Sequence, residues 1–133
     1  MMPVRMAFLN ALVSKPWTQE NNCWHFVRSV RRELFGVDDL PIVSDDLVSH
    51  PERRREVFEG HPVRSAWAEV GVPQDGDIAI MSRPRDLHVG IYLINCGRGL
   101  VWHSDIGHGV VADTILEVTQ LRRWKLVFFR RNS

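Results

Sequence analysis

The second half of the sequence consists of short apolar runs separated by turn signals, for example at residues 74–76 and 95–98. Such runs are typical of β-strands, and close turns between them favour antiparallel pairing. Residues 63–70 fit a strand or a helix, and residues 114–121 resemble a short helix. The predicted strands span residues 77–81, 88–93, 99–103, 109–112 and 125–130. The sequence therefore predicts one antiparallel sheet of about five strands.

The first 60 or so residues lack this pattern, and their sequence predicts helix and loop instead. Apolar residues recur at helical spacing over residues 23–35, with Asn21 and Asn22 as candidate N-caps and Gly36 as the stop. A second, polar helix is predicted over residues 51–58. Helices followed by a run of strands favour the α+β class over an alternating plan.

Length and charge limit the classes of protein to which the chain can belong. A length of 133 residues fits a single domain, residues 1–133. The 17 basic and 16 acidic residues give a net charge of +1, and no basic, aromatic-interleaved stripe is present, so we expect no nucleic-acid binding. No apolar run is long enough to predict a membrane span. The N-terminus does not have the pattern of a signal peptide, so we expect a protein that is cytoplasmic when made.

Cys23 is the residue best placed for nucleophilic chemistry, because it lies at a predicted helix start, where backbone N–H groups lower a thiol's pKa. The other cysteine, Cys96, falls in a predicted turn. A nucleophilic thiol needs a base and a group that orients the base. Among six histidines, His88 and His103 open and close adjacent predicted strands. A hairpin that turns at residues 95–98 would bring these two imidazoles together as base and orienting group.

The order of these residues resembles the NlpC-type peptidases, which are papain-like cysteine peptidases of bacterial cell walls. The resemblance covers roughly residues 17–130. The matching pieces are Asn22-Cys23, Gly76-Asp77-Ile78-Ala79-Ile80-Met81, His88-Val89-Gly90-Ile91-Tyr92-Leu93 and Val101-Trp102-His103-Ser104. The resemblance implies a papain-like fold in which N-terminal helices pack on the sheet. It also implies Cys23 as nucleophile, His88 as general base and His103 as the third, orienting residue.

The chain departs from the family around the nucleophile, where Asn-Cys-Trp-His at residues 22–25 replaces the usual Asp-Cys-Ser-Gly. In this it is more similar to forms found in phage and prophage tail modules. The resemblance implies a cysteine peptidase or amidase that hydrolyses peptidoglycan stem-peptide bonds, with phage tail proteins as partners and the virion as carrier. We expect Trp17, Trp24 and Trp102, which lie near the site residues in sequence, to line the substrate groove.

Several alternatives stay open at the level of sequence. Asp105 is a rival to His103 for the orienting role. The short metal-ligand spacings C-x-x-C and H-E-x-x-H do not occur, so we expect neither a metal nor another cofactor. The domain is alternatively a catalytically silent structural or wall-binding tail-tip component. A third alternative is a thiol transferase or amidase that acts on a lipid or another amide.

Overall fold

The computed structural model describes residues 4–18, 21–41, 58 and 62–132. Among these residues, two α-helices precede the sheet, namely α1 (Val4–Leu12) and α2 (Cys23–Phe35). The strands are β1 (Trp67–Val70), β2 (Ile78–Arg83), β3 (Asp86–Asn95), β4 (Arg98–Asp105), β5 (Gly109–Asp113) and β6 (Lys125–Arg131). A 3-10 helix (Pro62–Ala66) leads into β1, and a π-helical turn (Glu117–Leu121) precedes β6.

The six strands form one antiparallel sheet in the order β1-β6-β2-β3-β4-β5. The α+β class is therefore confirmed, with one strand more than predicted. The additional strand is β1, in the segment whose apolar pattern fitted a strand or a helix equally well. The helix-like segment before β6 contains the π-helical turn. Apart from Phe58, the predicted helix at residues 51–58 lies outside the described residues.

The two faces of the sheet carry separate apolar clusters, because successive side chains of a strand point to opposite faces. Helix α2 packs against β3 and β4. Its buried residues join one cluster with alternate strand residues such as Val89 and Trp102. The opposite cluster includes Met81, Val101 and Trp124. His88 and His103 directly neighbour Val89 and Trp102 in the chain, so they lie on the face opposite to α2.

Local signals at both ends of α2 confirm the predicted helix. The Asn22 side chain accepts hydrogen bonds from the backbone N–H groups of Trp24 (3.0 Å) and His25 (3.1 Å). This is the bonding expected of an N-cap. Gly36 ends the helix at φ 66°, in the left-handed conformation that favours glycine. The N-cap therefore fixes Cys23 as the first residue of the helix.

The predicted turn between β3 and β4 is a tight hairpin in which Asn95 pairs with Arg98. Cys96 and Gly97 both have positive φ, 53° and 76°. Two successive residues with positive φ are the mark of a type I′ turn, whose twist matches that of paired strands. The hairpin confirms that β3 and β4 are neighbours.

Ser14 and Lys15, which follow α1, pair with the outer edge of β5. The N–H of Ser14 donates to the carbonyl of Val110 at 3.0 Å, and the N–H of Val110 donates to the carbonyl of Lys15 at 3.0 Å. A Cβ at Gly109 would stand 2.3 Å from the Lys15 carbonyl oxygen, so only glycine allows this approach. The pairing holds Trp17 near the end of β4. Within the described residues, no helix has the length and apolar character needed to cross a membrane.

Candidate active site

A cavity of about 420 Å³ opens where β3 begins and β4 ends. Cys23, His88 and Trp17 all contribute to its wall. The structure therefore brings the predicted nucleophile and the predicted base, which are distant in sequence, to one cavity. The other described residues in the wall are Arg83, Asp86, Asp105, Ile106, His108, Leu121, Arg122 and Trp124.

His88 and His103 are hydrogen-bonded to each other behind this cavity. Nε2 of His88 lies 2.9 Å from Nδ1 of His103, and the two rings meet edge to face at 77°. The second nitrogen of His103, Nε2, lies 2.7 Å from Oδ2 of Asp113. The His103 side chain is fully buried and Asp113 is nearly so. The three side chains form a buried chain of hydrogen bonds that ends at the cavity wall.

The charge of Asp113 is maintained by its neighbours. Burial alone would raise the pKa of this carboxyl, but hydrogen bonds from His103 and Arg122, and the charges of both groups, outweigh burial and hold the pKa below its usual value. Nε of Arg122 donates to Oδ2 of Asp113 at 2.6 Å. Asp113 is therefore a carboxylate at neutral pH, and a carboxylate only accepts hydrogen bonds.

When both histidines are neutral, this carboxylate determines their tautomers. His103 must donate from Nε2 to Asp113, which leaves Nδ1 of His103 as an acceptor. Nε2 of His88 then donates to that nitrogen. The proton of the His88 ring is thereby held on Nε2, and Nδ1 of His88 retains a lone pair. A lone pair on Nδ1 is what a general base requires.

Sequence reasoning missed Asp113 and proposed Asp105 as the carboxylate that could replace His103 as the orienting residue. Asp105 instead lines the cavity and accepts hydrogen bonds from Arg122 (3.1 Å) and His108 (3.1 Å). In the β4–β5 register, His103 is paired with Val111, and Asp113 follows two residues later on the same face. The sequence signal for Asp113 was a charged residue at the end of an apolar strand. The sequence could not indicate that His103 is its partner, because that contact depends on the β4–β5 register.

Trp124 is a second site residue that the sequence did not indicate. Its ring stacks on His88 with the planes 25° apart and the centroids 5.5 Å apart. The guanidinium of Arg83 covers the Trp124 ring at 3.7 Å, which is cation–π geometry, and it also donates to the carbonyl of Arg122. Arg123, between Arg122 and Trp124, has a left-handed φ of 62°. This turn directs Arg122 to Asp113 and Trp124 to His88.

Of the three tryptophans expected in the substrate groove, only Trp17 lines the cavity. Trp24 follows Cys23 on α2, and its Nε1 donates to the carbonyl of Pro41 at 2.8 Å. Trp102 is buried in the cluster between α2 and the sheet. Neither Trp24 nor Trp102 is part of the cavity wall.

The same residues include a set that could hold a metal ion. His88, His103 and Asp105 each offer one ligand atom, and these atoms lie within 4.8 Å of one another. This cluster combines His88 of β3 with His103 and Asp105, which are two residues apart on β4 and therefore share a face of that strand.

A scan against models of known protein families finds none that matches the chain, and a search of curated proteins finds no similar sequence. The function is therefore inferred from the chemistry of this cavity and from the order of its residues.

Proposed function

We propose that the chain is a cysteine peptidase or amidase of the NlpC type that hydrolyses peptidoglycan stem-peptide bonds. One observation carries the proposal, namely the buried chain of hydrogen bonds from Asp113 through His103 to His88, which ends at a cavity that Cys23 also lines. A capped helix that carries the thiol and an antiparallel sheet that carries the imidazoles support the proposal, because the resemblance to papain-like peptidases implies both.

The reaction begins when Nδ1 of His88 accepts the thiol proton of Cys23. The thiolate forms at the N-terminus of α2, where the helix dipole stabilises negative charge. The sulfur attacks the carbonyl carbon of the scissile amide, and the backbone N–H of Cys23 donates to the oxyanion. His88 then gives its proton to the leaving amine. Water, deprotonated by His88, hydrolyses the thioester and regenerates the thiol.

His103 and Asp113 act through His88. While His88 carries the extra proton, its ring is an imidazolium whose Nε2–H donates to His103. The carboxylate of Asp113 fixes the acceptor tautomer of His103 and stabilises the positive charge through it. The stacked Trp124 ring restricts the tilt of the His88 imidazole. Together these contacts preserve the orientation of the base during both proton transfers.

The lining of the cavity supports a peptide substrate with charged groups of both signs. Arg83 and Asp86 bring one charge of each sign to the wall, where Arg122 and Asp105 are paired with each other. The apolar side chains in the wall, among them Trp17, suit short alkyl groups. Stem peptides combine free carboxyl and amino groups with short side chains. The resemblance to tail-module forms supports delivery to the wall by phage tail proteins.

The experiment compares wild type and variants on purified peptidoglycan and measures the release of new amino groups, with mass spectrometry of the released fragments to name the bond. We expect release by wild type and a loss of at least ~10³-fold in Cys23→Ala and His88→Ala. Cys96→Ser is the matched control, because Cys96 is an exposed thiol at the hairpin tip, and we expect wild-type activity.

Two results would overturn the proposal. Amine release that persists in Cys23→Ala would exclude the thiol as nucleophile. Wall binding by wild type without any amine release would support the alternative of a catalytically silent wall-binding component.

A further inference from the structure

His88, His103 and Asp105 together provide the types of ligand atom found in zinc sites. Two imidazole nitrogens and one carboxylate oxygen lie within 4.8 Å of one another in His88, His103 and Asp105. Imidazole and carboxylate are ligands that zinc takes in proteins, and three protein ligands with one open position are its usual arrangement at accessible sites. The open position would face the cavity, because His88 and Asp105 line it.

We propose that this cluster binds a zinc ion and that the bound ion inhibits the enzyme. The inhibition, unlike the binding, rests on the function proposed above. The ion would replace the proton that now joins Nε2 of His88 to Nδ1 of His103 and would take a carboxylate oxygen of Asp105 as its third ligand. The displaced proton moves to Nδ1 of His88 through water, so the ring stays neutral and no other group needs to be oxidised or reduced.

The surroundings of the cluster already resemble those of a metal site. A metal-bound imidazole usually donates its other N–H to a carboxylate, which orients the ring. His103 does this towards Asp113 at 2.7 Å. Asp105 is in turn held by Arg122 and His108. His103 is therefore oriented before any ion arrives, and the position of Asp105 is fixed by its two hydrogen bonds.

The side chains of the cluster must adjust to hold an ion. The two imidazole nitrogens are 2.9 Å apart. Nitrogens at ~2.0–2.1 Å from a tetrahedral zinc ion stand ~3.3 Å from each other. An increase of ~0.4 Å, together with an in-plane turn of each ring that points its lone pair at the ion, would admit zinc between the imidazoles. Trp124 stacks on the face of the His88 ring and does not block a turn in the ring plane. The Asp105 oxygen, within 4.8 Å of the two nitrogens, would move closer to become the third ligand.

A bound ion would remove the base without occupying the whole cavity. The proposed catalytic cycle needs the His88 proton on Nε2 and a lone pair on Nδ1. Zinc on Nε2 reverses this assignment, so Nδ1 would carry the proton and could not accept the one from Cys23. Removal of the ion by a chelator would restore the base.

Isothermal calorimetry with zinc chloride tests the site directly, using chelator-treated protein in which Cys96→Ser removes the exposed thiol. We expect one ion per chain, affinity at least ~10-fold weaker in Asp105→Asn, and no binding in His103→Asn. His25→Ala is the matched control, since His25 lies two residues from Cys23 but outside the cluster, and it should bind zinc as wild type does. Asp105→Asn keeps the test decisive if His103→Asn fails to fold, because Asp105 is only partly buried.

A second measurement follows the alkylation of Cys23 by iodoacetamide with zinc or with a chelator, and zinc should slow it at least ~10-fold. Cobalt absorption adds a further readout, since a thiolate-to-cobalt band that disappears in Cys23→Ser would place the sulfur in the open position. The proposed zinc site would be excluded if the protein bound no zinc. It would also be excluded if Asp105→Asn bound zinc as wild type does and only Cys23→Ser lost the binding. Intact zinc binding with no peptidoglycan hydrolysis would instead overturn the proposed function.

Discussion

Gly90 and His103 lie so close across β3 and β4 that a Cβ on Gly90 would stand 3.1 Å from the Cβ of His103. The same Cβ would meet the carbonyl oxygen of Trp102 at 2.8 Å and Cε of Met81 at 3.0 Å. The Trp102 oxygen is backbone and cannot rotate away. The absence of a side chain at residue 90 is therefore a condition for the buried position of His103 beside His88.

Gly90→Ala should displace His103 and destabilise the sheet by about 1–3 kcal/mol, the usual effect of extra volume in a packed core. Denaturant unfolding measures this change, and amine release from peptidoglycan should fall with it. Gly71→Ala is the control, because a Cβ at Gly71 meets no atom within 4 Å. Equal stability of the two variants would contradict the close approach described for Gly90.

Asp113→Asn should reduce the rate of hydrolysis by ~10²-fold. In triads where the carboxylate contacts the base directly, the amide substitution costs about 10⁴-fold. Here His103 lies between Asp113 and His88. The asparagine would favour the wrong tautomer of His103 first, and this change reaches His88 only through a second hydrogen bond, so we expect a smaller loss. Steady-state kinetics should show the loss in kcat with little change in KM. A change confined to KM would show that Asp113 acts on substrate binding instead.

The stability of the fold should depend on the ionisation of Asp113. Its folded-state pKa lies below the unfolded value of ~3.9. The stabilisation is therefore complete above the unfolded pKa and is lost as the pH falls through the folded pKa. Unfolding free energies measured between pH 6 and about pH 2.5 should fall more steeply for wild type than for Asp113→Asn. Parallel curves would mean that Asp113 does not gain stabilisation from His103 and Arg122.

Cys23 should be alkylated by iodoacetamide faster than Cys96 at about pH 6, by ~10-fold or more. Cys23 begins a capped helix and shares a cavity with His88, whereas Cys96 is exposed at a hairpin tip. Helix N-termini and an adjacent imidazolium both favour the thiolate. Peptide mass mapping distinguishes the two sites within one sample. Equal and slow labelling of both cysteines would argue against an activated thiol at residue 23.

Arg123→Val should destabilise the protein by about 1–2 kcal/mol, because a β-branched residue is strained at the φ of 62° found there. Arg123→Gly should keep or slightly raise the stability. The valine variant should also slow hydrolysis, since the turn directs Arg122 to Asp113 and Trp124 to His88. Arg85 provides the control, because it is an exposed turn residue that does not have a positive φ. Arg85→Gly should therefore not raise the stability of the protein.

Signals that are local in sequence predicted the elements well. Asn22 and Gly36 bound α2 because capping depends on the residues at the helix ends themselves. The β3–β4 hairpin followed from a turn sequence in which Gly97 readily adopts positive φ. Residues 67–70 were ambiguous, since their strand character depends on pairing with β6, at the far end of the chain.

The parts of the site that could not be predicted depend on non-local register or on unusual backbone. Asp113 reaches His103 only in the observed β4–β5 register. Arg122 and Trp124 reach the site through a π-helical turn and a left-handed residue, neither of which has a periodic apolar pattern. The placement of Trp102 could have been predicted. Its neighbour His103 was expected in the site, and the side chains of adjacent strand residues point to opposite faces of the sheet.

The pairing of Ser14 and Lys15 with Val110 has a consequence for self-association. An exposed strand edge offers unsatisfied amides to any other chain and so invites fibre-like stacking. The segment before α2 covers part of that edge on β5, and the opposite edge, β1, is only four residues long. These two features shorten the open edges of the sheet and so limit edge-to-edge pairing between copies of the domain.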